Sequence, residues 1–443
     1  KWPQSLDSKV ISLLDLEKSG EESKSQDPEF FRNNLASVQP DDLFTICYTS
    51  GTTGTPKGVM LSHGNASSVL EDCISAFGEH IRPERETLLT FLPFSHMTGK
   101  LELLATFVFG WKLQFAESMD RIPANLLEVR PTILFAVPRI FEKALTEIEK
   151  KADNSSWIQR KLYRRAVESG ERYYNRKWRG KKPLYTDRLA YGLYRQTILE
   201  KVREGFGGRL RFAICGGAPL PKETAETFRV FGVLILEGYG LTETCAPVTL
   251  NTVEAHKFGT VGKPLADVEI RIAEDGEIFL KSKKLFHGYW KMPEETKACL
   301  VDGWFATGDV GFVDPQGYLH ITDRKKDLIV TSGAKNIAPQ KIENRLKVIC
   351  PLVAEGVVIG DRKKYLTALI TLDRKALKKF AQDEAILYSN SKDLTHHIKV
   401  QAAITVAVDE LNRELPQFET LKKFLILPNE FSVEGGELSP SLK

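Results

Sequence analysis

The 443-residue chain predicts a layered α/β fold, a β-rich part after it, and a small α+β domain at the end. Three observations carry that reading. Short apolar runs alternate with helix-like stretches up to about residue 250. From 259 to 323 the pattern changes to short strands and turns, as in ADVEIRIAEDGEIFL and YLHIT. Beyond Arg324 strands and helices mix again. The expected division is 1–325 for a large domain, split into 1–258 and 259–325, and 326–443 for a small one.

Residues 19–26 (SGEESKSQ) are polar and read as a surface loop or linker. The apolar run 43–48 reads as a buried strand, followed by a Gly/Thr loop over 49–58 and a short strand at 59–61. A helix is expected from Asn65, with Asn65 as its cap. Further strands are expected at 132–137, 210–215 and 233–236, then at 328–331, 353–359 and 366–372. Pro339 fits the first turn of a helix.

Composition excludes some classes. A formal charge of +4 over this length gives no global argument for nucleic acid. Six scattered cysteines without a CxxC pair fit neither a disulfide framework nor a zinc site, and suit a reducing compartment. No run of about 18 apolar residues reads as a membrane span. No signal-peptide pattern is seen, and a start at Lys1 leads us to expect that the true N-terminus lies upstream. Residues 159–182 hold ten Lys/Arg against two Glu, interleaved with Tyr163, Tyr173, Tyr174 and Trp178. They read either as a surface for anionic lipid or as a solvated basic helix face.

The densest chemistry lies at 48–58, YTSGTTGTPKG. Its glycines allow close backbone approach, five hydroxyls (Thr49, Ser50, Thr52, Thr53, Thr55) supply donors, and Lys57 supplies a cation. Those are the parts needed to hold a triphosphate. It is not a Walker loop, because Gly58 follows the lysine and a strand comes next.

The string resembles the phosphate loop of the adenylate-forming superfamily of acyl-CoA synthetases, luciferases and nonribosomal-peptide adenylation domains. The similarity continues in order along nearly the whole chain. GGAPL at 216–220 resembles the adenine-facing turn, so Gly216, Gly217 and Ala218 are expected against the base. YGLTET at 239–244 is more specific. The resemblance implies that Tyr239 stacks on adenine beside Gly240, Thr242 meets the α-phosphate and Glu243 binds Mg²⁺. WFATGD at 304–309 resembles the ribose block, with Asp309 accepting from two vicinal hydroxyls.

DRKKD at 323–327 resembles the interdomain hinge, with Arg324 on ribose or phosphate and Lys326 as pivot. TSGAKN at 331–336 resembles the pantetheine-channel loop, where Gly333 would let the thiol arm pass. GELSPSLK at 436–443 resembles the segment carrying the catalytic lysine, here Lys443. His96, within LPFSHMTG, matches a block lining the acyl site. GGRLRF at 207–212, the basic stretch before it and LFHGYW at 285–290 are most similar to long-chain synthetases.

The resemblance thus implies ATP-dependent activation of a long-chain fatty acid to acyl-AMP, then thioester formation with coenzyme A, using ATP, Mg²⁺ and CoA. The competing readings are a fatty acyl-AMP ligase serving a carrier protein and an inactive nucleotide- or acyl-CoA-binding homologue. A cytoplasmic protein touching the inner face of a membrane peripherally is expected, with oligomeric state open and a homodimer one option. Only 47 residues precede Tyr48 where the family carries a longer segment, so part of the first subdomain is expected to be absent.

Overall fold

The structure, a computed structural model, describes residues 11–49, 56–331, 336–388, 390–432, 435 and 437. After two exposed helices, Leu13–Gln26 and Phe30–Ser37, β1 (Leu43–Thr49) and β2 (Lys57–Ser62) form an antiparallel pair. Residues 19–26, expected as a loop, thus belong to a helix that buries nothing. Ser12 caps it by accepting from the amide of Asp15, and its Leu, Glu, Lys and Gln residues favour the helix against Gly20 and the serines. The helix His63–Phe77 also begins before its expected cap. Ser62 is the N-cap, and Asn65 sits three residues in, returning a bond to the Ser62 amide.

The central sheet contains β3 (Thr87–Thr90), β4 (Lys112–Phe115), β5 (Ile133–Ala136), β6 (Phe212–Cys215), β7 (Leu234–Leu241), β8 (Ala246–Leu250) and β9 (Lys263–Pro264). Their order is β4-β3-β5-β6-β7-β8-β9, parallel from β4 through β7 and antiparallel thereafter. The runs ILFA, FAIC and LILE are apolar because helices cover both faces of a parallel sheet. Phe141 and Phe231 each meet Phe228 edge to face, at 5.5 and 5.8 Å between centroids, and all three are fully buried. Truncating Phe228 to alanine would cost about 3–5 kcal/mol.

The β-rich part is built from β10 (Glu269–Ile272), β11 (Glu277–Lys281), β12 (Gly288–Tyr289), β13 (Leu300–Val301), β14 (Trp304–Val313) and β15 (Leu319–Arg324). Here β12 leaves its neighbours and pairs with β2, opposing Tyr289 to Val59. A buried charge cluster fixes that crossing. Lys284, fully buried, pairs with Asp72 on the helix His63–Phe77 and with Asp267 at 3.1 Å. Asn65 Nδ2 donates to the carbonyls of Lys283 and Leu285. Removing one partner of such a pair costs about 3–5 kcal/mol.

The remaining strands are β16 (Ile329–Val330), β17 (Asn336–Ile337), β18 (Val353–Ile359), β19 (Leu366–Leu372) and β20 (Leu421–Ile426). The last three form one sheet with its own core, which includes Ile342, Leu346, Val400, Ile404 and Leu411 from the helices Pro339–Ile349 and Ile398–Glu414. Pro339 occupies the first turn, as expected. This unit meets the rest through two solvent-facing ion pairs, Arg345 with Glu223 at 3.3 Å and Arg139 with Glu355 at 3.6 Å, and through buried Asp323, whose Oδ2 accepts from the Gln340 amide at 3.1 Å. Such exposed pairs are worth about 0–1 kcal/mol each. Among the described residues no helix is long and apolar enough to cross a membrane.

Candidate active site

The site forms where β7 changes neighbours. Its first half pairs in parallel with β6, and from Gly238 onward it pairs antiparallel with β8. Ligands of open α/β sheets bind beyond the carboxyl ends of the parallel strands, which is where β7 leaves β6. Gly240 has no alternative residue, since a Cβ there would lie 2.0 Å from the carbonyl oxygen of Ala246.

Tyr239 reaches across to β14, and its hydroxyl donates to Asp309 Oδ2 at 2.7 Å. Arg324 stands opposite Asp309 in the β14–β15 register and places Nε 3.2 Å from Oδ1. Asp309 is buried, with both carboxylate oxygens held. Burial first, then the negative Asp309, pushes the Tyr239 phenol far above its ordinary range. Thr307, Gly308, Arg324, Lys325 and Lys326 line a cavity of about 360 Å³ next to this trio. Lys325 is bound to Asp275 and Glu277 at 2.7 and 2.6 Å, whereas Lys326 is exposed.

Thr242 and Glu243 lie in the one-turn 3-10 helix that follows β7. Glu243 Oε1 accepts from the Tyr289 hydroxyl at 2.9 Å, and its carbonyl accepts from the Phe286 amide at 2.8 Å. On the same phenol, Lys57 Nζ lies 4.9 Å from the ring centroid. Tyr289 therefore touches an anion and a cation at once. Burial and the Glu243 charge drive its hydroxyl well above the ordinary phenol range, so it stays a donor. Lys57 and Thr49 face each other across the β1–β2 ladder and mark the two ends of the Gly/Thr loop. Ser50, Gly51, Thr52, Thr53 and Gly54 lie outside the described residues, as do Gly333 and Lys443.

Gly216, Gly217 and Ala218 follow β6, beside the end of β7. Gly217 has φ +84°, and a Cβ on Gly216 would sit 3.2 Å from the Gly238 carbonyl oxygen. The neighbouring Glu237 is buried, with Oε1 lacking a partner among the described residues. Burial pushes its carboxyl up to about 8, against the pull of the Leu220 and Gly259 amides. His96 caps the helix Met97–Phe109 through its backbone and is exposed.

Sequence reasoning missed two of these groups. Glu237 stands two positions before the YGLTET aromatic and reads as a strand charge; being isolated in an apolar strand is the signal that could have found it. Tyr289 lies in LFHGYW, a motif that says nothing of its facing until β12 pairs with β2.

The donor set fits a magnesium nucleotide. Asp309 beside Arg324 can take a diol, small residues line the sheet edge, and Glu237 keeps an unpaired buried oxygen at that edge. Among the described residues no three His, Cys, Asp or Glu side chains cluster as a metal cage. A hard cation here would take Glu243 together with oxygens of the nucleotide and water.

Fold and site together define a nucleotide-binding α/β enzyme with an appended α+β domain. The pattern of the AMP-binding enzyme family matches residues 3–290, and that of the AMP-binding enzyme C-terminal domain matches 326–435. The chain belongs to the AMP-binding enzymes. It is 35% identical over 429 residues to the long-chain-fatty-acid–CoA ligase FadD15 of Mycobacterium tuberculosis, covering 97% of this chain and 71% of that protein. It is 32% identical to the long-chain-fatty-acid–CoA ligase ACSBG2 of Gallus gallus, covering 93% of this chain and 57% of that one. Among solved structures it is similar to ATP-bound MatB from Rhodopseudomonas palustris, with TM-score 0.59 and 27% identity. That match covers 88% of this chain and 65% of MatB.

Proposed function

We propose that this chain activates a long-chain fatty acid with ATP to acyl-AMP and then forms the thioester with coenzyme A. The observation that carries the reading is the joining of Tyr239–Asp309–Arg324 to Glu243–Tyr289–Lys57 at the end of one strand. The substrate class is supported by fatty-acid–CoA ligases among its relatives.

In this reading Gly216, Gly217 and Ala218 lie along the adenine, Tyr239 stacks on it, and Asp309 with Arg324 takes the ribose. Lys57, Thr49 and residues 50–54 hold the phosphates, and Thr242 meets the α-phosphate beside Gly240. Bound Mg²⁺, held by Glu243, would neutralise phosphate charge. A fatty carboxylate oxygen, placed near His96, attacks the α-phosphorus in line, and the bond to pyrophosphate breaks. Lys443 draws charge from the α-phosphate during that step. The CoA sulfur, entering past Gly333, then attacks the acyl carbonyl carbon, and AMP leaves with its oxygen.

Both steps use one crevice, with the unit 326–443 turning about Lys326 relative to 1–325 between them. Its ion pairs with the larger unit are exposed and weak, and the buried Asp323–Gln340 contact lies beside Lys326 itself, which supports a domain that can turn there. The reading also puts the chain in the cytoplasm, where the free cysteines Cys47, Cys73, Cys215, Cys245, Cys299 and Cys350 suit a reducing compartment, and in peripheral contact with an anionic membrane. Product formation from palmitate and ATP, compared with free CoA and with a phosphopantetheinylated carrier protein, tests it. Palmitoyl-CoA as the main product is expected, and acylation of the carrier protein alone would overturn the acceptor assignment.

A further inference from the structure

The helix Tyr185–Tyr194 has two opposite faces, and the fold uses only one. On the inner face Asp187 pairs with Arg172 at 3.3 Å. Tyr191 stacks on Tyr173 at 5.0 Å between centroids, and its hydroxyl donates to the Val230 carbonyl at 3.0 Å. With 3.6 residues per turn, Tyr185, Leu189 and Leu193 follow one another at four-residue spacing on the other side. They are 74%, 56% and 65% exposed, and Leu184 prolongs the stripe at the helix entry at 51%.

The surroundings of the stripe select what covers it. Lys181 and Lys182 precede the helix and Arg188 lies on it; all three are exposed. Across residues 179–196 the one acidic side chain is Asp187, which is buried and already paired with Arg172. An apolar stripe bordered by cations, with no exposed carboxylate within residues 179–196, matches lipid acyl chains below a layer of phosphates. Protein interfaces, by contrast, tend to be depleted in lysine. Long basic side chains can also bend their charged ends up to the phosphate level while their stems stay apolar.

We propose that the helix Tyr185–Tyr194 lies flat in the surface of an anionic phospholipid bilayer. Tyr185, Leu189 and Leu193 enter the acyl boundary, and Lys181, Lys182 and Arg188 contact lipid phosphates. This assigns a definite surface to the membrane contact proposed above and rests on that reading. A long-chain fatty acid partitions into the same layer, so the enzyme would meet its substrate there.

The test is co-flotation of the full chain with two kinds of vesicle, pure phosphatidylcholine and phosphatidylcholine mixed with phosphatidylglycerol. Two variants are compared with wild type: Leu189→Ser/Leu193→Ser, and Lys181→Gln/Lys182→Gln/Arg188→Gln. Wild type should bind the mixed vesicles, more weakly as salt rises, and the neutral ones poorly. Each variant should lose about tenfold or more in partitioning to mixed vesicles. Thermal midpoint and pyrophosphate exchange with a water-soluble medium-chain acid should stay at wild-type values, because the altered side chains point away from fold and crevice. Wild-type partitioning in both variants would overturn the surface while leaving membrane contact standing. Absence of wild-type binding to either vesicle would overturn both. Equal wild-type binding to the two vesicles would refute the role of the basic rim. A concentration-dependent dimer that only Leu189→Ser/Leu193→Ser abolishes, with no vesicle binding, would assign the stripe to a second copy of the chain instead.

Discussion

Replacing Tyr289 with phenylalanine removes one oxygen and leaves the ring that packs on Phe286 and sits under Lys57. What is lost is the 2.9 Å bond to Glu243 Oε1. A hydrogen bond to a charged acceptor is worth about 1.5–3 kcal/mol net. Glu243 is only half-buried, so water recovers part of that, and the expected loss in the transition state is about 1–2 kcal/mol. That corresponds to a roughly 5- to 30-fold slower adenylation. Stability should fall by no more than about 1.5 kcal/mol, because the ring contacts remain. The assay is pyrophosphate exchange across a Mg²⁺ titration, in wild type, Tyr289→Phe, Glu243→Gln and the double variant. If Tyr289 acts by orienting Glu243, the phenylalanine change should raise the Mg²⁺ requirement and add little once Glu243 is gone. Wild-type rates in Tyr289→Phe, or losses that multiply in the double variant, would refute the orienting role.

Asp309→Ala should weaken nucleotide use by about 2–4 kcal/mol in kcat/KM, since it removes the acceptor shared by Tyr239 and Arg324; unchanged kcat/KM for ATP would remove Asp309 from the site. Lys443→Ala should sharply slow acyl-AMP formation while transfer from supplied acyl-AMP to CoA stays near wild type; equal loss of both steps would assign Lys443 to the fold or to both poses. Glu237 gives a pH prediction. Its folded pKa of about 8 lies above the ordinary carboxylate value of 4.5, so the folded state holds a proton that the unfolded state has released between those pH values. Stability should therefore decline as pH rises through that window, and Glu237→Gln should flatten the decline in thermal melts from pH 5 to 8. An unaltered slope would mean that Glu237 is ionised in the fold.

The parts of this molecule legible in its sequence are those where local chemistry decides the outcome. Apolar runs such as ILFA and FAIC became strands near their expected places, and Pro339 opened its helix. YGLTET and WFATGD were recognisable because their residue types are constrained, and the fold brings Tyr239 and Asp309 within one hydrogen bond. Residues 19–26 read as a loop because the helix Leu13–Gln26 has no buried face, and therefore no apolar period to announce it. Asn65 is not the cap because Ser62, the last residue of β2, takes that role, a double duty that no local pattern separates. Tyr289 depends on the pairing of β12 with β2, across more than 200 residues of chain, and no local pattern encodes that register. The basic run 159–182 was visible as charge, yet the apolar stripe beside it appears only once Asp187 and Tyr191 are seen to face inward.

The most direct test of the central claim is carboxylate-dependent exchange of labelled pyrophosphate into ATP by the purified chain. Long-chain fatty acids should drive exchange with a higher kcat/KM than acetate or an aromatic acid, and exchange should vanish without Mg²⁺. Exchange driven best by acetate or an aryl acid would contradict the long-chain assignment. No exchange with any carboxylate, in a protein that still binds ATP, would contradict adenylate formation itself.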